Sequence, residues 1–97
     1  MTHLDEYVTD VLMRDLVGHD KRPVSFLVYV WLAAEQERRG GLVQISYQEL
    51  AESIGVSKSS AQGAVAWLVG RSLLARQKAT VTATPVYEAM RPWKSRG

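Results

Sequence analysis

The groups in this chain with chemistry to offer fall into two sets. The first has the types that catalysis or metal binding would use, without the spacing. His3 and His19 stand alone, with no partner at metal-ligand separation, and read as surface or helix-end groups. Asp5, Glu6 and Asp10 could pair as acid and base, but nothing near them supplies a nucleophile or a cleft. Acids near a helix start serve as cap and dipole partners. Ser57, Ser59 and Ser60 have no histidine base in any predictable arrangement and read as caps. No glycine-rich phosphate loop follows a strand. The expectation is a protein that is not an enzyme, with no metal and no cofactor. The second set is made of donors: Lys58, Ser59, Ser60 and Gln62 close together, then Arg71, Arg76 and Lys78. Such groups suit phosphate oxygens and base edges.

The elements that must position these donors lie between Ser46 and Leu74, in SYQELAESIGVSKSSAQGAVAWLVGRSLL. Ser46 and Glu49 have the S-x-x-E spacing of a capping box. Leu50, Ala51 and Ile54 follow on one helical face. Gly55 stands where the chain leaves that helix, a position favouring positive φ. Ser57 caps a second helix with Ala61, Ala64, Val65 and Leu68 on one side. Helix, three-residue turn and helix make a helix-turn-helix, a unit that lays its second helix in the DNA major groove.

Charge is divided along the chain. Residues 1–52 hold nine acids against five bases, while residues 53–97 hold seven bases against Glu88 alone. The net charge is +2, but the basic half begins at the second helix of the motif and suits a polyanion. Ninety-seven residues, 46% apolar and 23% charged, fit one globular domain over 1–97. The absence of cysteine excludes disulfides and thiolate metal sites. The apolar run Ser25–Ala34 is about half of what a membrane helix needs, and MTHLDEY does not resemble a secretory signal. No membrane partner and a cytoplasmic location are expected.

Outside the motif, Thr2 and Asp5 repeat the capping spacing. Leu4, Val8, Val11, Leu12 and Leu16 then predict a helix over about 3–16, stopped at Gly18. The segment from Pro23 also suits a strand by its β-branched and aromatic content. Pro23 at its start and Arg38, Arg39 and Gly40-Gly41 at its end favour a helix over about 22–38. Phe26, Tyr29 and Trp31 at helical spacing read as core rather than as a stacking platform for single-stranded nucleic acid. Short strands are expected at 42–45, 74–78 and 86–90, followed by an irregular tail over 91–97. The fold class is therefore mainly α with a small β-hairpin (α+β), in the order α-α-β-α-α-β-β.

Residues 42–90 resemble the winged helix-turn-helix of bacterial regulators of the MarR and GntR types. The resemblance rests on S-Y-x-E-L-A-x-x-I-G-V-S-x-S-S-A-x-x-A-V-x-x-L and on R-S-L-L, where such domains usually have R-G-L before the first wing strand. It implies a second helix in the major groove and a basic wing on the backbone. By position, it places Ser57, Lys58, Ser59, Ser60, Gln62 and Gly63 at the DNA. Lys58 would meet a phosphate or guanine, and Gln62 an adenine or a bridging water. Ser46, Tyr47 and Gln48 would hold phosphate at the preceding helix start, with Arg71, and with Arg76 and Lys78 on the wing. Where family members often carry Arg or Lys, this chain has Gly63 and Trp67, so Trp67 and Val69 are candidates for a contact surface. The implied function is sequence-specific binding of double-stranded DNA, as a transcriptional regulator or a replication or partition protein. The alternative is a protein–protein module, such as a scaffold or phage-encoded inhibitor. A homodimer is expected through Leu4, Tyr7, Val8, Leu12 and Trp93.

Overall fold

The computed structural model describes residues 6–19 (the side chains of Asp15 and His19 excepted), 22–78 and 83–91. These residues are mainly helical, with a small three-stranded antiparallel sheet, so the α+β class expected from the pattern is the one observed. The first helix differs from expectation in its winding. It is wound largely as π-helix, in two segments, π1 (Val8–Leu12) and π2 (Arg14–His19). In π1 the Met13 N–H closes on the Val8 carbonyl, five residues back. Winding wider than 3.6 residues per turn brings residues four apart closer to one line. Val8, Leu12 and Leu16 are accordingly all buried, while Val11 turns aside to half-burial. The helix also runs through Gly18 rather than ending there, and the Arg22 N–H then returns to the Leu16 carbonyl. The Thr2–Asp5 capping pair lies outside the described residues.

Helix α1 (Pro23–Arg39) starts with Pro at its first position and ends at Gly40, φ 70°. It is the central element of the core, with Val28, Tyr29 and Leu32 fully buried. Two hydrogen bonds fix the sheet to it: Tyr29 Oη donates to the Met90 carbonyl at 2.8 Å, and the Ala89 N–H donates to Gln36 Oε1 at 2.7 Å. At its end Glu35 pairs with both Arg38 and Arg39, so those two cations serve a buried acid as well as the helix dipole.

Strand β1 (Val43–Gln44) leads to α2 (Tyr47–Ile54) and α3 (Lys58–Gly70), and β2 (Leu74–Gln77) and β3 (Val86–Ala89) close the chain. The sheet order is β1-β3-β2, with Val43 opposite Tyr87, and Leu74 and Arg76 opposite Ala89 and Tyr87. Pro85, which limits pairing on its own nitrogen, still accepts from the Ile45 N–H at 3.2 Å. Leu50, Ala51, Ala61, Ala64, Val65 and Leu68 meet Val8, Leu12 and Leu16 in one cluster with α1 and the sheet. Val8 and Leu12, expected on a dimer face, are thus only 2% and 7% exposed. They are not available to a second copy, because the first helix spends its apolar stripe on its own core. Leu4 and Trp93, the other two anchors expected there besides the half-buried Tyr7, lie outside the described residues.

Candidate nucleic-acid interface

The arrangement starts from two serine caps. The Ser46 hydroxyl accepts from the Glu49 N–H at 3.1 Å and the Glu49 carboxylate takes the Ser46 N–H, a complete capping box at the start of α2. Gly55 ends α2 at φ 90°, and both its own N–H and that of Val56 return to the Ala51 carbonyl. The turn puts Ser57 where its hydroxyl accepts from the Ser60 N–H at 3.1 Å, opening α3. Burial then divides the first two turns of α3. Ala61, Ala64, Val65 and Leu68 face the core, while Lys58, Ser59, Ser60, Gln62 and Gly63 are exposed. The Lys58 and Gln62 side chains have no partner among the described residues. Ser59 and Ser60 lie within hydrogen-bonding distance of the Ser57 hydroxyl.

Tyr47 and Gln48 occupy the first turn of α2. Gln48 is tied down by donating to Glu52 at 2.9 Å. Tyr47 is half-buried, packs edge-on against Tyr87 with ring centres 6.3 Å apart, and accepts from Arg76. Of the two cations expected on the wing, Arg76 alone lies on strand β2. Arg76 lies on the sheet face it shares with Tyr87 and reaches across to α2, while Lys78 stands one residue beyond the end of β2. The tip of the β2–β3 connection lies outside the described residues. Tyr87 is 1% exposed and its hydroxyl has no hydrogen-bond partner among the described residues. Burial, with the Tyr47 hydroxyl beside it, pushes its ionisation well above the ordinary value of 10.0.

A second cluster was only half visible in the sequence. Trp67 is half-buried on α3, and the guanidinium groups of Arg22 and Arg71 lie 5.4 Å and 5.0 Å from its ring centre. Arg71 was expected at the interface, whereas Arg22 was not singled out. Its one signal was its place immediately before Pro23, at the cap of α1. Lys58 is the sole cation of α3, so Trp67 offers a surface on which two cations from outside that helix are gathered. Val69 is half-buried and packs against the core.

The described residues contain no group of three or more acids and histidines able to hold a metal ion. None of their helices is long and apolar enough to cross a membrane. No protein-family model matches the sequence, and no curated protein or solved structure matches the chain.

Proposed function

We propose that the chain binds duplex DNA as a winged helix-turn-helix, with α3 in the major groove and β2, β3 and their connection forming the wing. The observation that carries this reading is the division of α3. Ala61, Ala64, Val65 and Leu68 are spent on the core, and the polar groups left outside, Lys58 and Gln62 above all, have no partner among the described residues and suit base edges and phosphates. Three further cations are held in place by aromatic side chains, Arg22 and Arg71 over the ring of Trp67 and Arg76 by a hydrogen bond to the Tyr47 hydroxyl. A preordered cation loses little side-chain entropy on meeting a phosphate. Regulation of transcription is the role we assign to such a module, acting as a homodimer, because one α3 with one cation reads few bases and two copies read a palindrome.

A protein–protein module is the second reading, favoured by the low charge of α3 and by Met13, Val17 and Leu27, which are 44%, 41% and 48% exposed. Titration of binding to random duplex DNA against salt separates the two. DNA binding gives a log–log slope of about 0.9 per phosphate neutralised. Replacing Arg76 and Lys78 together by alanine should flatten it by almost two. Absence of any salt-dependent binding by the parent protein would discard the DNA reading.

A further inference from the structure

Between the start of α1 and the side of α3 lies an open groove of about 280 Å³, lined among others by Arg22, Val24, Ser25, Ser60 and Gly63. We infer that this groove is a seat for one phosphate group. Among the described residues no side chain caps α1, and Pro23 has no N–H to offer. The first donors of the helix are therefore the Val24 and Ser25 N–H groups, and neither is taken by a backbone bond outside the helix. They carry the positive end of a 17-residue helix. Ser25 supplies the second, independent feature. It is 2% exposed, lines the groove, and its hydroxyl has no hydrogen-bond partner among the described residues. The fully buried orphan among those residues is the Tyr87 hydroxyl, not that of Ser25, so the serine oxygen is reached from the groove. Arg22 stands at the mouth with its guanidinium laid on Trp67, which leaves the N–H edges of the fork for an anion. Ser60 accepts from Ser57 and keeps its own proton to donate. Among the described residues, no carboxylate lines the groove. Gly63 leaves the opposite wall bare, since a Cβ built there meets nothing within 4 Å.

Two sources present this chemistry: a backbone phosphate of duplex DNA and a free phosphate group. For the duplex the inference rests on the DNA reading above; the seat itself does not. The first arm of the test titrates inorganic phosphate into the protein and follows the Val24 and Ser25 amides by NMR, with chloride at matched ionic strength as control. Saturable shifts specific to phosphate are expected, and Arg22→Ala and Gly63→Leu, whose side chain fills the groove, should each abolish them. The second arm measures duplex binding. Arg22→Ala should reduce the salt slope by about one. Ser25→Ala, which changes no charge, should weaken binding roughly fivefold on every sequence alike. If the parent protein binds no duplex, the DNA reading fails, and phosphate-specific shifts then retain the seat for a free phosphate. If it binds duplex and both variants match it, while phosphate still shifts the amides, the source is again a free phosphate. Failure of both arms, with no phosphate-specific shift and no effect on duplex binding, overturns the inference.

Discussion

Arg76 Nη1 donates to the hydroxyl of Tyr47 across 2.5 Å, joining the second strand of the sheet to the first residue of α2. The two residues are 29 apart in sequence, and Tyr47 is also braced edge-on by Tyr87 from the central strand. The contact ties the edge of the sheet to the start of α2. Because the Arg76 side is exposed, its contribution to stability is at the low end of the range for a hydrogen bond to a charged group.

Tyr47→Phe should therefore lower the urea midpoint by an amount equivalent to about 0.5–1.5 kcal/mol. Arg76→Ala should cost a similar amount, and the double variant little more than either alone. Costs that simply add in the double variant would show that the pair is not coupled.

Tyr87 gives a prediction with a pH sign. Its phenol ionises less readily in the folded protein than at the unfolded value of 10.0, so above that pH the folded state holds a proton that the unfolded state has lost. Stability contributed by this group is complete below pH 10 and is lost as pH rises beyond it. Tyr87→Phe should remove that share of the alkaline decline. It should also leave stability at neutral pH equal or higher, since a buried hydroxyl without a partner is a cost. Parallel pH–stability curves for the two proteins above pH 10 would show that Tyr87 does not titrate in this way.

Three backbone positions predict opposite signs for small changes. Ser72 follows α3 at φ 61°, and the bonds Ser72 N–H to Val69 and Leu73 N–H to Leu68 form a Schellman ending with serine in the left-handed position. Ser72→Gly relieves that conformation and should add about 0.5–1 kcal/mol. Gly63→Ala should stabilise by about 1 kcal/mol, because the site is an open helix interior. Gly55→Ala, at φ 90°, should cost about 1–2 kcal/mol. Thermal melts of the three variants check the order.

Caps and periodicity made most of this legible. Ser46-x-x-Glu49, Gly55 and Ser57 marked both ends of α2 and the start of α3 within a residue, because each is a local hydrogen-bonding rule with one geometric solution. The left-handed turn at Ser72 was not read from the sequence, where R-S-L-L in place of R-G-L was its one trace. The π winding of the first helix was not legible either, since apolar residues four apart fit both windings. Neither was the fate of Val8 and Leu12: an apolar stripe does not say whether it meets its own core or a partner. Arg22 and Ser25 escaped notice because their significance comes from α3 lying beside them, a contact between distant segments.

Gln62 is the residue expected to read a base. It is exposed, without a partner among the described residues, and one turn beyond Lys58. Gln62→Ala should cost about 1–3 kcal/mol at one base position and little on random DNA. Selection from random oligonucleotides returning one consensus for both proteins would remove Gln62 from base readout.

Self-association is now expected through other residues of the first helix. With Val8 and Leu12 committed to the core, the exposed large apolar groups left among the described residues of that helix are Met13 and Val17, four apart, and half-buried Tyr7 lies nearer its start. The burial difference separates two effects that one substitution would otherwise confuse. Leu12→Glu places a charge in the core and should unfold the protomer itself. Met13→Glu with Val17→Lys should leave the melting temperature within a degree or two of the parent, because exposed substitutions shift stability by only about 0.5 kcal/mol. The pair should nonetheless weaken dimerisation, and affinity for a palindromic site should fall with it, since each half-site alone buries only about 600–1,000 Å². Light scattering across a concentration series, with the melt run on the same samples, decides the matter. A parent protein that stays at 10.8 kDa throughout while binding its specific site at full strength would show that the module works as a monomer.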